Sequence, residues 1–127
     1  MTKEEYISFE LTCPPSLNWL FAGKGNRFKS KAYKNWLAIS NIEFIKQDKG
    51  YKISGNEWLE LHLNYFFPLF NKNWTKKVKD LDNYFKALID MLTNNIDGLE
   101  DHKIKRIIAE KHDSENNTVK IMIKEIA

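Results

Sequence analysis

A single cysteine, Cys13, in a chain of 127 residues excludes an internal disulfide and any zinc site built on several thiolates. With Pro14 and Pro15 beside it and no histidine nearby in the sequence, it reads as a reduced bystander rather than a nucleophile. No apolar run approaches the roughly 20 residues of a membrane span. The opening Met1-Thr2-Lys3-Glu4-Glu5 lacks the apolar core of a signal peptide, which places the chain in the cytoplasm and off any membrane. Repeats, low-complexity tracts and linkers are missing as well. Residues 1–127 therefore read as one domain, long enough to bury roughly two thirds of its unfolded surface, with a globular composition of 43% apolar and 13% aromatic residues.

Acid is absent from two long stretches. Leu11 to Ile42 contains none, against Lys24, Arg27, Lys29, Lys31 and Lys34, and Pro68 to Lys79 contains none, against Lys72, Lys76, Lys77 and Lys79. The acids gather instead between Asp80 and Asp101, where Asp80, Asp82, Asp90, Asp97, Glu100 and Asp101 face one base, Lys86. That window carries −5 in a chain of net charge +3, so the remainder carries +8. A basic protein with one acidic island suits attraction of a polyanion and capture of a divalent cation where it arrives.

The periodicities give a coarse order of elements. Tyr6 to Leu11 alternates as a first strand and stops at Pro14-Pro15, which cannot donate to a ladder. Gly23 and Gly25 make Phe21 to Ser30 a mobile loop. Lys31 to Gln47 has helical spacing, with Trp36, Leu37, Ala38 or Ile39, Ile42 and Ile45 as its apolar stripe. Lys49-Gly50 and Ser54-Gly55-Asn56 are turns. Glu57 to Phe67 is a long strand with Leu59, Leu61, Leu63, Tyr65 and Phe67 on one face and Glu60, His62 and Asn64 on the other. Leu81 to Asn94 is a second helix: at 100° per residue Leu81, Phe85, Leu88 and Leu92 share a buried stripe, and Asp82, Lys86, Asp90 and Thr93 a polar one. A turn from Asn95 to Gly98 closes it. Ile104 to His112 and Thr118 to Ile126 read as two strands of a hairpin. The sum is an α/β (α+β) fold, a small mixed sheet of about four strands packed with two main helices.

The acidic island allows two readings. Asp80 and Asp82 stand where a loop becomes a helix, and a carboxylate there can cap exposed amides. A second carboxylate at close range adds repulsion, which a bound Mg²⁺ or Mn²⁺ relieves, since such ions take one or two carboxylates with waters and phosphate oxygens. Lys86 lies one turn from Asp82 and one from Asp90. It is either half of an exposed i, i+4 ion pair or a cation aimed at a phosphate, stabilising charge at phosphorus. Glu100-Asp101 is either a solvated turn or a carboxylate returned to the helix start. Phe28, Phe70 and Trp74 can stack on unpaired bases or pack under a loop or into a dimer interface. His62, His102 and His112 are scattered and read as no metal site.

Together these residues resemble a known family. Asp80-Leu81-Asp82-Asn83-x-x-Lys86-Ala87, then Asp90, Leu92-Thr93 and Leu99-Glu100-Asp101 are similar to the core motif of the RusA family of Holliday junction resolvases. Pro14-Pro15-Ser16-x-Asn18 is similar to that family's opening segment, and Ala32-Tyr33-Lys34 to the start of its first helix. The resemblance implies Mg²⁺ (or Mn²⁺) at Asp80, Asp82 and Asp101, with Lys86 as a catalytic lysine. It also implies a homodimer that nicks two opposed strands of a four-way DNA junction, in a protein of bacterial or phage origin. One metal constellation per chain agrees, because paired symmetric cuts need a second subunit on a two-fold axis. Lys24, Arg27, Lys29, Lys31, Lys76, Lys77 and Lys79 are the candidate DNA contacts. Two departures stand out: Glu100 where the family often has Asp, and lysines ahead of Asp80 where it often has arginines, which offer a bidentate fork that lysine lacks. A non-catalytic DNA-binding module, or a nuclease for flaps or other branched DNA, are the competing readings.

Overall fold

The computed structural model describes residues 6–16, 21–22, 28–53, 55, 58–77 and 80–127. Strand β1 is Ile7–Thr12, with Ile7, Phe9 and Leu11 buried at every second position. Residues Phe21–Ala22 (β2) and Phe28–Lys29 (β3) pair antiparallel, so the ends of the expected loop are a short ladder. Helix α1 is Lys31–Gln47, started by Ser30, whose Oγ accepts the Tyr33 N–H at 3.1 Å. Strand β4 is Trp58–Phe67, helix α2 is Phe85–Asn95, and strands β5 and β6 are Ile104–Asp113 and Thr118–Ile126. The four long strands form one mixed sheet in the order β1-β6-β4-β5. No helix is long and apolar enough to cross a membrane, among the described residues.

Helix α1 has the expected bounds but not the expected face. It buries Tyr33, Trp36, Ser40 and Phe44, while Ile39, Ile42 and Ile45 are exposed. The roll is set by β1, an edge strand whose outward backbone groups need partners. Trp36 Nε1–H donates to the Thr12 carbonyl at 2.8 Å, and Glu43 accepts from the Thr12 N–H and hydroxyl, each at 3.0 Å. Gln47 accepts the Glu10 N–H and donates to the Glu10 carbonyl. This roll gives the outward N–H and C=O groups of β1 partners on α1 and buries the Tyr33, Trp36 and Phe44 rings, which leaves the isoleucine stripe in water.

The expected hairpin is absent. Strand β4 lies between β5 and β6, antiparallel to β6 and parallel to β5. Strands two places apart are separated by about 10 Å, which the four residues 114–117 can span. The end of β4 ties that crossing down: Ser114 N–H donates to the Phe67 carbonyl and Leu69 N–H to Asp113 Oδ1. Leu59, Leu61, Leu63, Tyr65 and Phe67 are all buried beneath the helices. On the opposite face Glu60 is also buried, held by His62 at 3.1 Å and Arg106 at 3.6 Å. His62, Asn64 and Phe66 on that second face are only half-buried, so β4 is covered fully on the helix side and in part on the other, as a strand in the middle of the sheet can be. The parallel pair then needs a crossover, which α2 supplies.

Candidate functional site

A single 3₁₀ turn, Leu81–Tyr84, leads into α2. It is pinned to the end of β4: Tyr65 O–H donates to the Tyr84 carbonyl at 3.0 Å, and the Tyr84 ring lies 5.9 Å from that of Tyr65 and 5.3 Å from that of Phe67. Asp80 and Asp82 flank the start of this turn. Asp80 occupies the cap position but makes no side-chain cap bond, so the capping reading does not account for the pair. Both carboxylates are exposed, and neither has a hydrogen-bond or ion-pair partner among the described residues. Burial, and then the neighbouring Cys13 and Asp80, push the Tyr84 phenol up.

One turn on, Lys86 Nζ stands 3.4 Å from Asp90 Oδ2. The same oxygen accepts the Tyr33 hydroxyl at 3.4 Å, which joins α1 to α2. Burial, then the Asp90 charge, push the Tyr33 phenol up to about 12, and Lys29 Nζ stands 5.5 Å from the centre of its ring. The sequence marks Tyr33 only as part of the Ala32-Tyr33-Lys34 triplet; its link to Asp90 depends on how the helices pack. A groove of about 500 Å³ runs from Pro14-Pro15-Ser16 past Asn35 to Tyr84. The Pro-Pro segment, the start of α1 and the Asp-bearing turn therefore meet at one end of the sheet.

Asp101 lies elsewhere. It opens a 3₁₀ turn, Asp101–Lys103, that runs into β5, whose first residue Ile104 pairs with Leu59 near the start of β4. Because β4 and β5 are parallel, α2 must carry the chain the length of the sheet, about 16 Å for its eleven residues. Asp82 is at one end of that crossover and Asp101 at the other. Among the described residues no three His, Cys, Asp or Glu side chains sit close enough to hold a metal ion. Glu100 pairs with His102 at 3.2 Å, whereas the exposed Asp101 carboxylate has no partner among the described residues.

Of the candidate DNA contacts, Lys29, Lys31 and Lys76 are exposed and Lys77 is half-buried. Lys24, Arg27 and Lys79 lie outside the described residues, as does the Phe28 side chain. Trp74 is not packed under a loop; it stands in solvent.

A four-stranded mixed sheet carrying two helices, with Asp80 and Asp82 exposed and without a partner among the described residues and Lys86 about one helical turn after Asp82, is an arrangement suited to phosphodiester chemistry. Residues 13–124 match the family model of Endodeoxyribonuclease RusA, so the chain belongs to the RusA family of Holliday junction-resolving endonucleases. No curated protein matches the chain significantly.

Proposed function

We propose that this chain, as one unit over residues 1–127, is a divalent-metal-dependent resolvase that acts as a homodimer and cuts four-way DNA junctions by paired, symmetric nicks. The observation that carries the reading is the Asp80/Asp82 couple, exposed and without a protein partner among the described residues, on a turn whose last residue, Tyr84, is bonded to Tyr65 near the end of β4, with Lys86 one turn away. Two hard carboxylates fit Mg²⁺ or Mn²⁺, which accept that number with water and phosphate completing the shell. When bound, such an ion polarises a phosphate oxygen and acidifies water.

The chain's own residues divide the remaining work. Asp80 and Asp82 would hold the ion. Asp101, at the far end of the crossover, reaches such a site as the contribution of a second copy, so that each site is shared between subunits. Lys86 places its ammonium where negative charge grows on the phosphate or its leaving oxygen. Asp90, backed by the Tyr33 hydroxyl, limits where that ammonium can swing. Lys29, Lys31, Lys76 and Lys77, with Lys24, Arg27 and Lys79, track DNA phosphates. The exposed stripe Ile39, Ile42 and Ile45 on α1 supports dimerisation, being an apolar surface that a second copy can cover.

The deciding experiment incubates purified protein and Mg²⁺ with a labelled four-way junction, a flap and a linear duplex. Selective cutting of the junction is expected, and Asp82→Asn should abolish it while junction binding persists. Preferred cutting of the flap would assign another branched substrate. Binding with no cutting of any DNA would leave only a binding module.

A further inference from the structure

Between β4 and Asp80 the chain makes a closed excursion. Phe70 and Lys76 bridge its base. Inside it, Asn71 N–H donates to the Thr75 carbonyl at 2.8 Å, Trp74 N–H to the Asn71 carbonyl at 2.9 Å, and the Thr75 hydroxyl to Asn73 Oδ1 at 2.7 Å. At the tip stands Trp74, 78% exposed, the most exposed large apolar side chain among the described residues. Its backbone is left-handed, with φ +65°, a conformation that a bulky aromatic residue disfavours and that Gly or Asn adopts readily. The indole contributes little to the core: its ring contact is with Phe70, at 6.2 Å and tilted by 52°. A strained residue that holds a large ring out into water points to a role in binding.

Charge and position identify what binds. Pro68 to Lys77 contains no acid and carries Lys72, Lys76 and Lys77. Asp113 and Glu115 share the lining of a groove with Lys72 and Trp74, while Lys76 and Lys77 are not among its lining residues, so a polyanion is drawn past the groove toward those two lysines. Asp80 follows Trp74 by six residues, which span no more than about 20 Å even when extended. We infer that Trp74 is a stacking platform for an unpaired nucleobase, on the chain segment that leads into the Asp80/Asp82 turn. A π-face accepts any base, so the contact selects for unpaired DNA rather than for sequence. The inference rests on the nuclease reading above.

The test measures binding in the Asp82→Asn background, which prevents cutting, to a four-way junction with 2-aminopurine at the crossover, to a single strand and to a blunt duplex. Trp74→Asn keeps the left-handed turn without the ring, and Trp74→Tyr restores a ring. Trp74→Asn is expected to weaken junction and single-strand binding on the order of tenfold. Duplex binding, which the lysines dominate, should change by no more than about twofold. Trp74→Tyr should recover most of the loss, and 2-aminopurine quenching should follow the ring. Equal binding by Trp74→Asn and its parent, or equal weakening on all three DNAs, overturns the inference and leaves the nuclease reading standing. If the parent binds no DNA, the nuclease reading falls and this inference falls with it.

Discussion

If each site is shared between two copies, two inactive variants should rescue one another. Asp82→Asn and Asp101→Asn each spoil both sites of a homodimer, and each alone should lose on the order of a hundredfold or more in cutting. In a mixed dimer with sites built across the interface, both substitutions fall in one site and the other is intact. This outcome is expected from the parallel β4–β5 pair, which puts the length of α2, about 16 Å, between Asp82 and Asp101 within a chain. Equal amounts exchanged to equilibrium give about half mixed dimers, each with one working site, and so about one quarter of the wild-type site concentration. The assay is cutting of a labelled four-way junction after co-refolding the two variants, with products separated on native and denaturing gels. The product should be a singly nicked junction rather than resolved duplexes, because a mixed dimer has one competent site. Should mixing leave cutting at the level of the single variants, Asp82 and Asp101 do not meet across an interface, and the shared site is refuted.

Lys86→Met should lose cutting about a hundredfold while its melting temperature stays nearly unchanged, because an exposed i, i+4 pair with Asp90 contributes only a few tenths of a kcal/mol; a large fall in thermal stability would assign Lys86 to the scaffold. Gly98→Ala should lower stability by more than about 2 kcal/mol, since Gly98 has φ +82° and a Cβ there meets the Ile53 carbonyl; calorimetry reads this as a melting point lower by roughly 10 °C. The Tyr33 phenol is raised above its unfolded value of 10 to about 12, so its contribution to stability is complete below pH 10 and is lost as pH rises through 12; denaturant titrations across that window should show the loss, and Tyr33→Phe should remove it. Replacing Lys76 and Lys77 together by Gln should reduce the slope of log affinity against log salt by about 2, and an unchanged slope would take both lysines off the DNA.

Much of this fold is local and therefore legible. Alternation in Glu57 to Phe67 reports a strand with one buried face because side chains alternate by geometry wherever the strand is placed, and Leu59 to Phe67 do occupy that face. The order of Asp80, Asp82 and Lys86 along a turn and a helix start is equally local, although the turn itself is tied to Tyr65 and Phe67 of β4. Helix α1 shows where locality ends. Its pattern contains two apolar sets, and the choice of Tyr33, Trp36 and Phe44 over Ile39, Ile42 and Ile45 depends on hydrogen bonds to β1, more than twenty residues away in sequence. The hairpin expectation failed for the same reason. Two adjacent alternating strands pair with each other by default, and only the tertiary pairing shows that β4 takes the place between them.

From its sequence alone this protein's long strands, its two main helices and its charge asymmetry were legible, and Asp80, Asp82 and Lys86 could be singled out as candidates, because each arises from spacing over a few turns of chain. Tertiary structure alone decided which strands are neighbours, and with that where Asp101 stands relative to Asp82. Strand order is a contest between distant segments for burial, and no local pattern records its outcome.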